Sequence, residues 1–333
     1  MQVDNVERLG DGQLTEVLTL CRTAETVDEV APLSEQVLLA ARGGHPAGPT
    51  TGSTTGSTTG STTGSTHFLA YAGTHLSGYA HLERGLAGQA ATAEVVVDPA
   101  HRRQGVGTAL VRALEAALQP ETETLQIWSH GHLEGARAFA VRDGYANVRE
   151  LWAMRRSLRS EAGSLPAVNL PEGYRARQFV IGQDEDAWLG VNARAFADHP
   201  EQGRMTRHDL DLRIAEPWFD ATGFILIEDT RSGVPVLAAS HWTKVVPGDD
   251  PQVSPTQGEV YVVGVDPAYQ GLGLGRAVTV LGLAHLRGRG LVEAMLYVDA
   301  DNSAAVATYS RLGFARFAVD VMYSPAVHPP VSG

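Results

Sequence analysis

The chain of 333 residues carries 26 Lys+Arg against 38 Asp+Glu, a formal charge of −12, and 43% of it is hydrophobic. At roughly 100–200 residues per domain this length implies two domains, and the negative excess argues against binding phosphate backbones or an anionic membrane surface. Cys21 is the only cysteine, which excludes an intrachain disulfide and a Cys/His zinc framework and suits a reducing cytosol. The opening MQVDNVERLGDG lacks a basic-then-apolar leader, and no stretch reaches the roughly 20 uncharged apolar residues of a membrane span. A cytoplasmic protein is therefore expected.

In chain order, residues 14–22 and 32–42 read as helices. Residues 50–66 repeat Thr-Thr-Gly-Ser and offer nothing to bury, which predicts a solvated, flexible loop. Strands are expected over 67–72, 76–83 and 90–97, short runs rich in Val, Leu and Tyr. Val106, Leu110, Val111, Leu114 and Leu118 fall at helical spacing and predict a helix over 105–118. Strand 124–129, helix 133–142 and strand 146–157 follow. Residues 159–172, with Gly163, Pro166 and Pro171, read as a linker. The order then returns: strands near 223–229, 235–245 and 258–265, helix 273–288, strand 291–298, helix 302–312 and strand 314–323. A frayed tail is expected from Pro325 onward. Domains over 1–158 and 173–325, each of alternating strands and helices, make this an α/β chain with mixed sheets.

The two halves are copies. Val-Val-Val-Asp-Pro-Ala ends at Ala100, and Val-Gly-Val-Asp-Pro-Ala ends 168 residues later at Ala268. Gly105 and Gly107 recur at the same offset as Gly273 and Gly275, and Arg142-Asp143-Gly144-Tyr145 recurs as Arg311-Leu312-Gly313-Phe314 at an offset of 169. Three elements in one order with nearly constant spacing indicate a duplicated domain.

Each glycine pair follows a strand and opens a helix. Glycine permits a tight turn and close approach of backbone N–H groups, and the helix start adds unpaired donors and a positive dipole. Such a turn suits a pyrophosphate, although a ligand-free Gly-rich turn would look the same. Neither stretch is a full Gly-x-Gly-x-x-Gly after the first strand of its unit, which weakens a dinucleotide-binding reading. Asp-Pro followed by Arg/Gln-x-x-Gly-x-Gly resembles the acyl-CoA signature of the GNAT superfamily of N-acetyltransferases, and Asp301-Asn302 through Gly313-Phe314 resembles its second motif. This resemblance implies two tandem GNAT acyl-CoA N-acyltransferase domains, each with a twisted mixed sheet that splays to admit the pantetheine arm.

Four further stretches are more specific: residues 32–38 (PLSEQVL), 199–203 (HPEQG), 241–244 (HWTK) and 258–262 (GEVYV). They resemble the mycothiol synthase family, which acetylates the cysteinyl amine of a cysteine–glucosamine–inositol precursor with acetyl-CoA as cosubstrate and no metal. The resemblance covers nearly the whole chain apart from the Thr/Gly/Ser tract and the tail. It implies acceptor contacts at Glu35, Glu201, Lys244, Glu259 and Tyr297. It also implies CoA contacts at Val263, Gly264 and Val265, at Gln270, Gly271, Leu272, Gly273, Leu274, Gly275 and Arg276, and at Asn302, Ser303, Ala304, Ala305, Val306 and Ala307. In the first copy the matching CoA positions are Val95, Val96 and Val97 with Arg103, Gln104, Gly105, Val106, Gly107 and Thr108.

Counting back from Asp98 and Gly144 places Ala91, Ala140 and Leu133 where the second copy has Glu259, Tyr309 and Asn302. The second copy is therefore expected to be catalytic, with Glu259 as base and Tyr309 as the acid for the CoA sulfur. By strand alternation Glu259 shares a face with Tyr261, Val263 and Val265. On the residues alone these positions read as a solvent-facing carboxylate, a core tyrosine and a helix cap; the resemblance gives them roles. Two other functions stay open at this level: a tandem GNAT enzyme acting on another small amine, and a CoA-binding sensor without catalysis. A monomer is expected, since a duplicated domain mimics a dimer within one chain.

Overall fold

The computed structural model describes residues 2–43, 65–85, 90–119, 123–159, 161, 163–197, 200–246 and 257–326. Residues 50–64 of the Thr/Gly/Ser tract and the tail from 327 lie outside the described residues. Ser65 and Thr66, expected in that loop, instead begin a strand and pair with Glu83 and Leu82. Among the described residues no helix is long and apolar enough to cross a membrane.

The chain forms two compact units, residues 1–151 with 318–333, and residues 152–317. In the first, β1 (Val3–Val6), β2 (Ser65–Ala72), β3 (His75–Glu83), β4 (Ala91–Val97) and β5 (Leu125–Ser129) lie in that order, and the first three pairings are antiparallel. β4 and β5 are parallel, joined through α3 (Val106–Ala117). α3 packs Val106, Leu110 and Leu114 on one face of the sheet, against Phe68, Ala80, Leu82 and Ala93. The other face takes α1 (Asp11–Asp28) and α2 (Glu35–Ala41) through Val17, Leu20, Ala24 and Val37 against Leu69, Tyr79 and Val96. α4 (Glu134–Arg142) precedes β6 (Tyr145–Ser157).

The second unit repeats the plan. β7 (Tyr174–Gln178), β8 (Phe224–Asp229), β9 (Val236–Lys244) and β10 (Gln257–Val265) pair antiparallel in sequence, and β10 pairs in parallel with β11 (Glu293–Asp299) through α8 (Leu274–Gly288). Between β7 and β8 the chain makes α5 (Glu185–Ala195), α6 (Pro200–Gly203) and α7 (Arg207–Ile214), elements that the sequence reading did not assign. α9 (Ser303–Arg311) leads into β12 (Ala315–Pro325).

The unit boundary does not fall at the expected linker. Met154 and Leu158, at the end of the first repeat, join the second unit's core beside Val260, Leu283 and Leu286. Conversely β12 carries Val321 and Tyr323 into a cluster with Val111, Ala140 and Tyr145, and pairs antiparallel with β5. The last strand of each repeat thus divides between the two units. The segment expected as a linker packs Leu165 and Val168 onto the second core.

The second unit's core is closely packed where α8 crosses β9. His241 is fully buried and donates Nδ1–H to the Val278 carbonyl at 3.0 Å. Burial pushes its pKa down to about 4, so the ring is neutral. A Cβ on Gly282 would sit 2.1 Å from that ring. Helix propensity alone favours Gly282→Ala by about 1 kcal/mol. The expected outcome is the opposite sign, a loss of about 1–3 kcal/mol from overpacking, read as a lowered urea midpoint; a raised midpoint would show that the ring moves freely.

Candidate active site

Both copies build the same turn. Asp98 accepts the Ala100 amide at 2.8 Å, and Asp266 accepts the Ala268 amide at 3.0 Å, each closing a short 3-10 turn after its strand. Their own amides donate to Ser77 and Ala238, both at 3.0 Å. The chain then enters a helix through Gly105 (φ 87°) and Gly273 (φ 77°). Two residues earlier φ is again positive, at Arg103 (61°) and at Gly271 (79°). The second copy meets that left-handed position with glycine, whereas the first holds an arginine in it. A Cβ at Gly105, Gly271 or Gly273 would meet nothing within 4 Å, so backbone conformation, not crowding, selects glycine there. At Gly275 a Cβ would come within 3.3 Å of Val265, so this glycine brings the helix start close to the strand. Exposed turn, helix N-terminus and adjacent strand together form a surface that suits a diphosphate with its chain running along the strand.

That strand edge is open. β4 pairs with β5 only over Ala91–Glu94, and β10 with β11 only over Gln257–Val260. Val95–Val97 and Val263–Val265 lie past the parting, still paired on their other side with β3 and β9. In the first unit the parted strands border a cavity of about 650 Å³, lined among others by Val95, Val97, Arg103, Gly105, Thr108 and His130.

In the second unit one inserted residue reshapes β10. Glu259 lies opposite Lys244 and Val260 opposite Thr243, but Val262, not Tyr261, faces Trp242. Tyr261 is a β-bulge, and a one-residue slip exchanges the faces of a strand. Before it, Gly258 and Val260 face α8 through Leu286 and Leu283. After it, Val263 and Val265 face α8, while Val262 and Gly264 turn to α5. The alternation expected from sequence is therefore corrected: Glu259 keeps Tyr261 on its face, but Val263 and Val265 lie on the opposite one. The β3–β4 register has no such break. With Ser77 and Ala238 as equivalent points, Glu83 corresponds to Lys244, so the counterpart of Glu259 is Thr92, opposite Glu83, and not Ala91.

Around Glu259 the unit gathers Lys244 and Tyr261, both expected from sequence, with Arg213 and Trp218, which the sequence reading did not assign. Lys244 is 9% exposed, and its Nζ lies 4.8 Å from the Trp218 ring centre and 4.9 Å from that of Tyr261. Arg213, from α7, donates Nε–H to the Tyr261 hydroxyl at 2.8 Å. The Tyr261 ring stands edge-on to Trp218 and Trp242, each 5.1 Å away. Only the conjunction of aromatic residues and isolated cations between 205 and 244 hinted at this nest. Glu201 lies in α6, tied to α5 where Asn192 donates to the Gln202 carbonyl at 2.7 Å and accepts from the Gln202 side chain at 2.9 Å. A Cβ at Gly203 would strike the Phe196 carbonyl oxygen at 2.3 Å, so this glycine permits the close approach. Tyr297 stands exposed on β11, one residue beyond its last pairing with β10. Glu35 opens α2 in the first unit and is half-buried.

On α9, Asn302 caps the helix by accepting the Ala305 amide at 3.1 Å, whereas its counterpart Leu133 makes no side-chain cap. Tyr309 packs against the second unit's core, edge-on to Phe314 at 5.8 Å. Burial pushes its phenol up to about 12. Its counterpart Ala140 is 3% exposed and fills the first unit's own core.

Known proteins share this architecture. The model of the acetyltransferase (GNAT) family matches residues 193–314, and a second acetyltransferase (GNAT) domain model matches residues 63–146. Among solved structures, a tandem GNAT protein from the clavulanic acid biosynthesis pathway superposes with TM-score 0.68 at 17% identity, covering 98% of this chain and 99% of its own. A GCN5-related N-acetyltransferase from Sphaerobacter thermophilus gives 0.63 at 22%, covering 99% and 97%. At these identities the likeness shows the fold. Closer in sequence are the mycothiol acetyltransferases of Thermomonospora curvata, 49% identical over 96% of both chains, and of Kytococcus sedentarius, 48% identical over 92% of both. The relative in Cellulomonas flavigena is 53% identical over 78% of this chain and 74% of its own. With two GNAT domains and this identity along nearly its whole length, the chain belongs to the mycothiol acetyltransferase family, acetyl-CoA-dependent enzymes of the GNAT superfamily.

Proposed function

We propose that this chain transfers acetyl from acetyl-CoA to the cysteinyl amine of the cysteine–glucosamine–inositol pseudodisaccharide, giving mycothiol, and that the second unit performs the chemistry. The observation that carries this reading is the placement of Glu259 beside the point where β10 leaves β11, opposite Lys244 and within reach of the strand edge that continues to the Gly273 turn. The first unit keeps the turn and the cavity but has Thr92 and Ala140 at the matching positions.

Acetyl-CoA supplies an activated acyl group. The chain's residues do the rest. An α-amine titrates at about 7.7–8.0, so roughly a tenth is neutral at pH 7. Glu259 takes the proton from the ammonium, directly or through water, a step that typically contributes about 10²–10⁴-fold. Backbone N–H groups along Val263–Val265 donate to the thioester oxygen as negative charge develops there. As the C–N bond forms and the C–S bond breaks, Tyr309 gives its phenol proton to the thiolate, and the second proton that the nitrogen sheds on becoming an amide restores the phenol. The first turn of α9, Asn302 through Ala307, and the turn from Gln270 to Arg276 hold the cofactor. Glu35, Glu201, Lys244 and Tyr297 take the polyol and its amine. The −12 net charge supports a small-molecule partner and no nucleic acid or anionic membrane; a cytoplasmic monomer is the form this reading expects.

Three measurements test the assignment. Thiol release from acetyl-CoA is expected with the cysteinyl pseudodisaccharide and not with glucosamine–inositol lacking cysteine; equal turnover of both would move the acceptor to another amine. Glu259→Gln is expected to lower kcat by about 10²–10⁴-fold while calorimetry shows CoA binding near wild type, and unchanged kcat would remove Glu259 as base. Because the Tyr309 phenol donates only when protonated and burial raises it to about 12, it keeps its proton through the neutral and mildly alkaline range. Tyr309→Phe is therefore expected to lower kcat by a constant factor from pH 7 to 10. A deficit that grows or vanishes across that range would contradict the role.

A further inference from the structure

The face of β4 turned toward α1 and α2 carries a buried ion-pair system that the chemistry above does not use. Glu94, 6% exposed, is the last β4 residue paired with β5. His130 follows the end of β5, and its Nε2 lies 3.3 Å from Glu94 Oε2, an ion-pair distance without hydrogen-bond alignment. Its Nδ1 lies 3.0 Å from Asp320 Oδ2, while Asp320 Oδ1 accepts the Gly131 amide at 2.8 Å. Asp320 is 5% exposed and stands on the part of β12 that belongs to the first unit. Three segments far apart in sequence thus converge on one imidazole.

The other end of this chain of contacts is the acceptor-side helix. Glu94 Oε2 accepts the Ser34 amide at 2.6 Å, and the Ser34 hydroxyl in turn accepts the Val37 amide at 3.4 Å to cap α2. Glu35 is the next residue and the first of α2. A helix of seven residues is too short to hold its own start by propensity. Its first corner is instead set by a charge-assisted bond to a buried carboxylate, roughly twice as strong as a neutral one. Burial by itself would push His130 down, but Asp320 and Glu94 outweigh it and carry the imidazole up to about 10. Burial would likewise raise Glu94, but the imidazolium and Ser34 hold its carboxyl below the ordinary range. The central ring is therefore cationic at neutral pH and fixes both carboxylates.

We propose that Glu94, His130 and Asp320 are positioning residues: together they fix the Ser34–Glu35 corner and so set the affinity for the aminated pseudodisaccharide. The proposal rests on the reading of Glu35 as an acceptor contact. None of the three touches a reacting atom. Without His130, Glu94 and Asp320 remain as two buried carboxylates with no cation between them, and Glu94 is no longer fixed where it accepts the Ser34 amide.

Steady-state kinetics on the full chain test this, since a displacement of about 1 Å at a positioned group costs up to about 10²-fold. His130→Ala is expected to raise acceptor KM at least tenfold with kcat within twofold. Glu94→Ala is expected to match it. Glu94→Gln, which keeps an oxygen for the Ser34 amide, is expected to recover most of the loss. In the Glu35→Ala background, His130→Ala is expected to add nothing further to KM. If Glu35→Ala leaves acceptor KM unchanged, the reading of Glu35 fails and takes this proposal with it. If Glu35→Ala raises KM but the relay variants do not, only the relay is overturned. If the His130 and Glu35 effects multiply, His130 acts independently and the proposal is wrong. Should His130→Ala not fold, Asp320→Asn and the Glu94 pair carry the same comparison, and a loss of kcat without a change in KM would overturn it.

Discussion

Two parallel strands that pair for four residues and then part organise the second unit. β10 and β11 share a ladder from Gln257 to Val260, after which β10 continues to Val265 with β9 alone. Backbone N–H and C=O groups demand partners when buried. An open edge inside a domain is therefore either wet or filled, and an extended amide-bearing ligand fills it by adding to the strand. The rest follows from that edge. The strand must end close to a helix start, which Gly275 permits by its approach to Val265, and the turn between them must expose its amides, which the left-handed Gly271 and Gly273 permit. The bulge at Tyr261 coincides with the parting, so the strand changes faces where it loses its neighbour.

Duplication shows which parts of this arrangement are general and which are chemical. Both copies keep the aspartate-capped turn, the left-handed glycine and the parted strands. Only the second has a bulge in this strand, and the bulge turns Val262 onto the face that Glu259 and Tyr261 share, toward α5 and α7. In the first copy the carboxylate at the end of the paired stretch is Glu94, held by an imidazolium and a backbone amide. A carboxylate held in that way is stabilised as the anion and is a poor proton acceptor. The carboxylate of the first copy is thus locked as an anchor, a part that the chemistry proposed for Glu259 does not share.

The glycine pairs, the Asp-Pro turns and the strand–helix order were legible in the sequence because each is a local rule: a left-handed turn demands glycine, and a buried helix face repeats at its own period. The bulge was not legible, since alternation counts residues and cannot see that Tyr261 has no opposite number. Its consequence was an error of one position, Ala91 for Thr92, and a misassigned face for Val263 and Val265. Apart from the 199–203 stretch, residues 173–222 show no strand or helix pattern in the sequence, because β7 and α7 are rich in charge. Arg177 pairs there with Asp184 and Glu228, and Arg207 with Asp211, so the polarity of these residues belongs to ion-paired elements. The division of β6 and β12 between units lies beyond any local rule, because Met154 and Val321 would suit either core. The His130 relay is of the same kind, joining residues up to 190 positions apart.

Lys244 shows how such non-local placement shapes the chemistry proposed for Glu259. The two are directly opposed on antiparallel strands, where Cβ atoms stand about 4.5–5.5 Å apart. The lysine is nearly buried, and its cation rests against the Trp218 and Tyr261 rings, whose faces attract positive charge. Arg213 steadies Tyr261 through its hydroxyl. A cation kept in this position favours the ionised form of a neighbouring carboxylate, and it disfavours a second cation nearby. Both effects would serve the proton transfer proposed for Glu259, and both depend on the aromatic residues that keep the lysine in place. Replacing the aromatic nest would thus disturb proton transfer without touching either charged residue.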